Sequence, residues 1–191
     1  MSSLFNDIEK VLITEEEIQA RIAEIGQELN DIYTDEDLPI LVCILKGAFM
    51  FLADLTRHLT FRHELEFMEI SSYGDDTKTS GVVRILLDLE VSIEDRTVLI
   101  VEDIVDSGNT IHYLQRHFAA RNPAEVKVIT LLDKPSRRKV EVTPDFIGFE
   151  VPDEFVMGYG LDYAQQYRNV PYVGVLKPEV YEKKENDTEE A

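Results

Sequence analysis

The feature that most constrains the fold is a series of predominantly apolar runs, each long enough for one β-strand. They are PILVCIL at 39–45, TVLIVEDIV at 97–105 and EVKVITLLD at 125–133. The first two are each followed by a short turn-like segment and then by a stretch with helical periodicity. Strands that are apolar throughout, in alternation with helices, are typical of a parallel sheet covered on both faces. The sequence therefore predicts an α/β fold, with a mostly parallel twisted sheet flanked by helices.

The clearest helix signal begins at Thr14. Apolar residues then recur at spacings of four and three, namely Ile18, Ile22, Ile25, Leu29 and Ile32. Thr14 and Glu17 form a capping-box pattern, in which each side chain can accept a hydrogen bond from an amide that the helix leaves unsatisfied. We expect an amphipathic helix that starts just after Thr14.

Several shorter segments complete the predicted domain. The runs 65–73 and 82–90 flank the polar stretch GDDTKTSG, which indicates two strands joined by a long mobile loop. The runs DFIGFEV and YVGVL predict two further strands. We expect residues 1–180 to form one domain, and residues 181–191, which are rich in acidic side chains, to form a disordered tail.

Charge and cysteine content limit the classes of partner. The net charge of −19 opposes binding to a phosphate backbone, so we expect no nucleic-acid partner. A local cluster of amides or a bound cation can still accept a small phosphorylated molecule. The single cysteine, Cys43, lies in an apolar run and is expected to be a buried, inert thiol. With no sign of an export signal or membrane span, we expect a cytoplasmic protein without membrane contacts.

The segment VLIVEDIVDSGNTI at 98–111 carries the most chemistry. An apolar strand delivers Glu102 and Asp103 to its carboxyl end, where open α/β sheets bind ligands. Asp106 then opens a loop of small residues, 107–110, whose amides and hydroxyls can hold a phosphate at a helix start. The alternative is an ordinary turn with acidic N-caps. Adjacent carboxylates repel and need a counterion or hydroxyl partner, which favours a sugar phosphate ligand.

These residues resemble a known family. VEDIVDSGNT is similar to the phosphoribosyl pyrophosphate signature of type I phosphoribosyltransferases, in the form of the hypoxanthine-guanine branch. The resemblance spans roughly residues 10–176, with further motifs in the family's order at 45–47, 71–81, 131–134 and 144–176. It implies the type I phosphoribosyltransferase fold, with a small hood over the active site built from the N- and C-terminal segments.

The resemblance also implies an activity. The chain would transfer the 5-phosphoribosyl group from phosphoribosyl pyrophosphate to N9 of hypoxanthine, and of guanine, in purine salvage. The cofactor would be Mg²⁺, and the products would be pyrophosphate and IMP or GMP. The protein would be a homodimer or homotetramer.

Roles for individual residues follow from the same resemblance. Asp106 would be the catalytic acid or base at N7 of the purine, a helix N-cap being the alternative. Glu102 and Asp103 would contact the ribose hydroxyls and, with Asp162, the metal. The 5-phosphate would be held by Ser107, Gly108, Asn109 and Thr110.

The remaining implied roles concern the leaving group and the base. Lys46 and Gly47 would form the pyrophosphate loop, with a Leu45–Lys46 bond that can be cis, although from sequence alone Lys46 is an ordinary loop residue. Arg168 would bind pyrophosphate. Three residues would hold the base, namely Lys134 at the exocyclic O6, Phe155 by stacking and Val156 through its backbone. An aromatic residue such as Phe155 could equally be core.

The motif at 71–81 resembles a lid, in which Ser72 and Tyr73 would close over phosphoribosyl pyrophosphate. The segment PSRR at 135–138 and Gly160 are positions where the family varies, and base preference is expected to depend on them. Two other functions remain open. A regulator that keeps the fold and binds nucleic acid should carry a basic face, and a pyrimidine or adenine transferase should lack a lysine after TLLD.

Overall fold

The structure, a computed structural model, describes residues 6–72 and 83–180. Most of the predicted lid, including Tyr73, and the predicted acidic tail lie outside these residues. The described part contains nine strands and three α-helices. The strands are β1 Ile8–Ile13, β2 Ile40–Leu45, β3 Glu64–Ser72, β4 Val83–Leu87, β5 Thr97–Val105, β6 Glu125–Asp133, β7 Phe146–Glu150, β8 Val156–Met157 and β9 Val173–Leu176. The helices are α1 Glu15–Ile32, α2 Phe49–Thr56 and α3 Asn109–Ala119.

Six strands form the central sheet in the order β4-β3-β2-β5-β6-β7. Every neighbouring pair is parallel except β3 and β4. Helices α1 and α2 pack on one face and α3 on the other, so β2, β5 and β6 contribute alternate residues to two separate apolar clusters. The predicted mostly parallel α/β fold is confirmed.

Helix α1 begins where the sequence predicts. The Thr14 hydroxyl accepts from the Glu17 amide, and the Glu17 carboxylate accepts from the Thr14 amide at 2.8 Å. Four of the five periodic apolar residues are fully buried. The fifth, Ile32, is 54% exposed, because the helix ends there and Tyr33 takes the core position instead.

A second sheet of three antiparallel strands, in the order β1-β9-β8, is built from the two ends of the described chain. The apolar cluster of this sheet includes Met157, Tyr167, Val170 and Leu176. Strand β1 was not predicted as a strand. The strands of this second sheet come from the N- and C-terminal segments that were expected to form a hood. The division of the chain into one domain and a tail stays a prediction.

Two further observations concern the sequence-based expectations. Cys43 is fully buried in β2, so the prediction of a buried thiol is confirmed, and burial raises the pKa of that thiol to about 12. In the described residues, no helix combines the length and the apolar character needed to span a membrane.

Candidate active site

Most of the predicted site residues converge at the carboxyl ends of β2, β5 and β6. Because these strands are parallel neighbours, the loops that follow them meet at one edge of the sheet. Three cavities lie side by side there, of about 330, 90 and 240 Å³. The first two share Glu102 and Thr110, and the last two share Ile104 and Asp106.

The largest of the three, here called the anion cavity, contains the residues predicted for pyrophosphate and metal. It is lined by Lys46, Gly47, Glu102, Asp103, Asp162 and Arg168, among others. The bond between Leu45 and Lys46 is cis. Arg168 donates to the Gly160 carbonyl at 2.7 Å and pairs with the Asp162 carboxylate at 2.7 Å.

Two glycines allow the loops around the anion cavity to approach each other. A Cβ on Gly47 would lie 1.4 Å from Oδ2 of Asp103, so only glycine leaves room for that carboxylate. Gly160 has φ +99, and a Cβ there would lie 2.1 Å from the Gly47 carbonyl oxygen. Gly160 thus packs on the backbone of Gly47, and its expected influence on base preference stays a prediction.

The two adjacent carboxylates are held in surroundings that disfavour their charge. Glu102 is 8% exposed, and its Oε2 has no hydrogen-bond partner among the described residues. Burial and the neighbouring Asp103 raise the pKa of Glu102 well above its ordinary value. Burial also raises the pKa of Asp103 to about 6, although backbone amides and Arg168 favour its charged form. Both carboxyls would gain from a cation or a set of hydroxyls.

The smallest cavity lies at the predicted 5-phosphate loop and is lined by Asp106, Ser107, Gly108 and Thr110, among others. Asn109 is the first residue of α3. Gly108, with φ +82, occupies the N-cap position and supplies no side-chain hydrogen bond. The amides at the start of α3 are therefore suited to an external anion.

Asp106 lies between the phosphate loop and the third cavity. The alternative that it caps α3 is wrong, since Gly108 is the N-cap residue. Its Oδ1 is buried and has no hydrogen-bond partner among the described residues, while Oδ2 lies 3.8 Å from Arg137. One carboxylate oxygen is thus left for a ligand.

The third cavity, here called the base pocket, contains the residues predicted to hold the purine. Lys134, Phe155 and Val156 all line it, together with Arg137, Asp153 and Glu154. Lys134 is 6% exposed, and its ammonium donates to the Glu154 carbonyl at 2.6 Å. Burial lowers the pKa of Lys134, while the charge of Asp106 opposes that effect.

An aromatic side chain stands at one border of the base pocket. Phe155 is 45% exposed and makes an edge-on contact with Tyr163, with ring centroids 5.5 Å apart. The alternative that Phe155 is an ordinary core residue is wrong. Val156 is buried in β8, where its backbone pairs with Val175 of β9.

A divalent cation in the anion cavity would find oxygen donors on Asp103 and Asp162. Within 6–72 and 83–180, no three His, Cys, Asp or Glu side chains converge on a ready-made metal site. Mg²⁺ is commonly held by one or two carboxylates together with substrate phosphates and water. The donor set fits a cation that is shared with a phosphorylated ligand, and the three-residue metal set stays a prediction.

Comparison with known proteins identifies the family. The phosphoribosyl transferase domain family matches residues 12–164. The hypoxanthine-guanine phosphoribosyltransferase of Bacillus subtilis is 55% identical over 177 residues, which cover 93% of this chain and 98% of that protein. The chain belongs to the hypoxanthine-guanine phosphoribosyltransferase family.

Other members of the family agree in sequence and in structure. The hypoxanthine-guanine phosphoribosyltransferase of Streptococcus thermophilus is 47% identical, with 94% of this chain and 99% of that protein covered. The crystal structure of a hypoxanthine phosphoribosyltransferase from Staphylococcus aureus has a TM-score of 0.90 at 44% identity, covering 94% of this chain and 97% of that one. The predicted phosphoribosyltransferase fold and enzyme class are confirmed.

Sequence reasoning gave no individual role to some residues of this candidate site, although Arg137 lies in the segment PSRR on which base preference was expected to depend. Arg137 pairs with Asp153 beside the base pocket, and Glu154 accepts from Lys134 while its carboxylate pairs with Lys10 of β1 at 2.8 Å. No motif marks these pairs, because their members lie far apart in the chain. Of the lid residues, Ser72 ends β3, where it pairs with Val83, and Tyr73 lies outside the described residues.

Proposed function

We propose that the protein catalyses purine salvage by transferring the 5-phosphoribosyl group from phosphoribosyl pyrophosphate to N9 of hypoxanthine, and of guanine. The products are IMP or GMP and pyrophosphate. The observation that carries this proposal is the continuity of the three cavities, since neighbouring cavities share side chains. They match the three parts of the reacting complex, which are pyrophosphate, ribose 5-phosphate and base.

Each part of the substrate pair has a suitable set of groups. Lys46, Gly47 and Arg168 receive the leaving pyrophosphate in the anion cavity. Glu102 and Asp103 accept hydrogen bonds from the ribose hydroxyls, which provide the polar partner that the buried Oε2 of Glu102 lacks. The 5-phosphate is bound by the loop from Ser107 through Gly108 and Asn109 to Thr110.

Asp106 acts as the general acid or base at N7 of the purine while N9 attacks the anomeric carbon. The position suits this role, because Asp106 borders both the phosphate loop and the base pocket. Its carboxylate has one oxygen, Oδ1, without a hydrogen-bond partner among the described residues. Breaking the bond to pyrophosphate develops positive charge at the anomeric carbon, so water must be excluded, and Ser72 and Tyr73 in the lid serve that purpose.

Mg²⁺ is the proposed cofactor, with Glu102, Asp103 and Asp162 in or near its ligand shell. When bound, it neutralises charge that builds on the departing pyrophosphate. The raised pKa values of Glu102 and Asp103 support this assignment, since a cation favours the ionised carboxylates.

Selectivity for 6-oxopurines rests on Lys134. Its buried ammonium donates to O6, and it would oppose the exocyclic amine of adenine with another donor. Phe155 stacks on the base, and the Val156 backbone contacts its edge.

The protein is proposed to act in the cytoplasm, a location supported by its single, buried cysteine. We further propose a homodimer or homotetramer. Support comes from the family and from an apolar surface on β3 and β4, where Leu65, Phe67 and Leu87 are 40% exposed or more.

The Asp106→Asn variant tests the catalytic assignment. With phosphoribosyl pyrophosphate, Mg²⁺ and hypoxanthine, we expect the variant to form IMP at least about 100-fold more slowly than wild type, as is typical when a general base is lost. Asp31→Asn, on the exposed side of α1, is the matched control and should keep the wild-type rate. Full activity of Asp106→Asn would remove Asp106 from the mechanism.

The alternative of a nucleotide-sensing regulator makes a different forecast. A folded wild-type protein that binds phosphoribosyl pyrophosphate but turns over no base would favour the regulator. The enzyme is favoured by the net charge of −19 and by the residues that line the three cavities, which are of the expected types.

A further inference from the structure

Arg138 lies outside the three cavities but contacts the loop that leads into the smallest of them. It follows a 3-10 turn at Pro135–Arg137, and its side chain is 15% exposed. Its Nη1 donates to the carbonyl of Val105 at 3.1 Å and to that of Asp106 at 2.7 Å. One guanidinium nitrogen therefore holds the two residues that open the phosphate loop.

The other end of the guanidinium holds the strand that leads to the base pocket. Nη2 pairs with the carboxylate of Asp133, which is the last residue of β6 and is nearly inaccessible, with a side chain 6% exposed. Lys134 follows Asp133 directly and lines the base pocket. Arg138 thus connects the end of β5 to the end of β6 through side-chain hydrogen bonds.

Backbone contacts bring the same two segments together. The Lys134 amide donates to the Val105 carbonyl, and the Lys139 amide donates to the Ser107 carbonyl, both at 2.9 Å. Gly108 lies so near that a Cβ on it would be 2.9 Å from Cδ of Arg138. Arg138 and the residue after it therefore contact the segment from Val105 to Gly108.

We propose that Arg138 is a positioning residue that fixes the phosphate loop relative to the base pocket, so that a nucleotide's base and its 5-phosphate bind cooperatively. This inference rests on the proposed function and deepens it. A loop whose carbonyls are already held loses less conformational freedom when it binds phosphate, so more of the binding energy is retained.

Arginine is suited to this role by its geometry. Its planar fork donates in several fixed directions at once, whereas a lysine ammonium is a compact charge on a flexible stem. Arg138→Lys keeps a cation for the buried Asp133 carboxylate but cannot reproduce all three contacts. Truncation to alanine would leave that carboxylate unpaired and destabilise the fold, so lysine is the informative replacement.

The test compares ligands that differ only in the phosphate. The dissociation constants of inosine and IMP are measured by calorimetry for each protein. The Kd of inosine divided by the Kd of IMP gives the contribution of the 5-phosphate to binding. In Arg138→Lys we expect this ratio to fall about tenfold, the loss expected for one charge-assisted hydrogen bond, with inosine binding unchanged. A protein of merely lower stability would not change the ratio.

Arg21→Lys is the matched control. Arg21 also donates to two backbone carbonyls, those of Ile147 and Gly148 in β7, and its side chain is 25% exposed. It lines none of the three cavities. We expect Arg21→Lys to keep the wild-type ratio and the wild-type rate of IMP formation.

A second variant protects the test against misfolding. Arg138→Gln combined with Asp133→Asn removes both charges and leaves no unpaired buried ion, and it should lower the ratio as well. An unchanged ratio in both folded variants, while wild type is active, overturns the inference and leaves the proposed function intact. A wild-type protein that neither binds IMP nor forms it contradicts the proposed function itself.

Discussion

At Glu102 and Asp103, the burial that suits ligand binding lowers the stability of the ligand-free protein. Both are ionisable groups placed at the end of a buried strand, where water cannot fully solvate their charge. Their raised pKa values mean that the ligand-free protein is destabilised when they ionise. Under the proposed function, the same placement favours binding of a cation and of the ribose hydroxyls in the anion cavity.

Asp103→Asn should therefore stabilise the ligand-free protein at neutral pH. The pKa of Asp103 is about 6 in the folded state and about 3.9 in the unfolded state, so the folded state binds more protons between these values. The contribution of Asp103 to the free energy of unfolding accordingly falls as the pH rises from about 4 to about 6. Calorimetric melting should show Asp103→Asn more stable than wild type above pH 6, with the difference shrinking towards pH 4.

A carboxylate with the opposite shift provides the control. Partial burial opposes the charge of Asp88, but the hydrogen bond from Arg121 prevails and lowers its pKa. This group stabilises the fold above its unfolded pKa and loses that contribution as the pH falls. Asp88→Asn should thus melt below wild type at pH 7. A pH-independent difference for Asp103→Asn would contradict the burial account.

At the scale of elements, strands β3 and β4 are covered on one face only. Helix α2 packs over β2 and β5. Leu65 and Phe67 of β3 pair with Leu41 and Cys43, so they lie on the same face of the sheet as that helix but beyond it. They are 44% and 40% exposed, and Leu87 of β4 is 42% exposed. An apolar sheet face of this kind is typical of an interface.

Phe67→Arg should therefore disrupt the proposed homo-oligomer, because it places a charge in the middle of that face. Sedimentation or light scattering should give at least twice the chain mass for wild type and the monomer mass for the variant. Ile32→Arg is the control, since Ile32 is 54% exposed at the end of α1 and away from β3 and β4. A monomeric wild type, or an unaffected Phe67→Arg, would contradict this interface.

Elements with a strong local pattern were predictable, and those that depend on distant partners were not. Helix α1 has both a period and a capping box, β2 is apolar throughout, and β5 and β6 each have a central apolar run. Strand β1 has an exposed Lys10 and Val11 and pairs with β9, at least 160 residues away. Strand β8 has two residues and no period to detect.

At the scale of the whole molecule, one part of the site follows a local sequence pattern and the other part depends on distant contacts. The phosphate side is one continuous segment, 101–110, so its residues could be assigned from their order in the sequence. The base pocket is assembled from the end of β5 and the loop after it, the residue that follows β6, the 3-10 turn and the loop before β8. The contacts of Arg137 and Glu154 join separate segments, and no local pattern marks those contacts. Arg138 acts from outside the cavities, so its contacts became visible only with the fold.

The most direct test of the central claim is a product balance with four bases. Wild-type protein is incubated with phosphoribosyl pyrophosphate, Mg²⁺ and hypoxanthine, guanine, xanthine or adenine, and nucleotide, pyrophosphate and free ribose 5-phosphate are quantified. We expect one IMP and one pyrophosphate for each phosphoribosyl pyrophosphate consumed with hypoxanthine, little ribose 5-phosphate, and no product with adenine. Consumption that yields only ribose 5-phosphate, or equal turnover of adenine, would contradict a 6-oxopurine phosphoribosyltransferase.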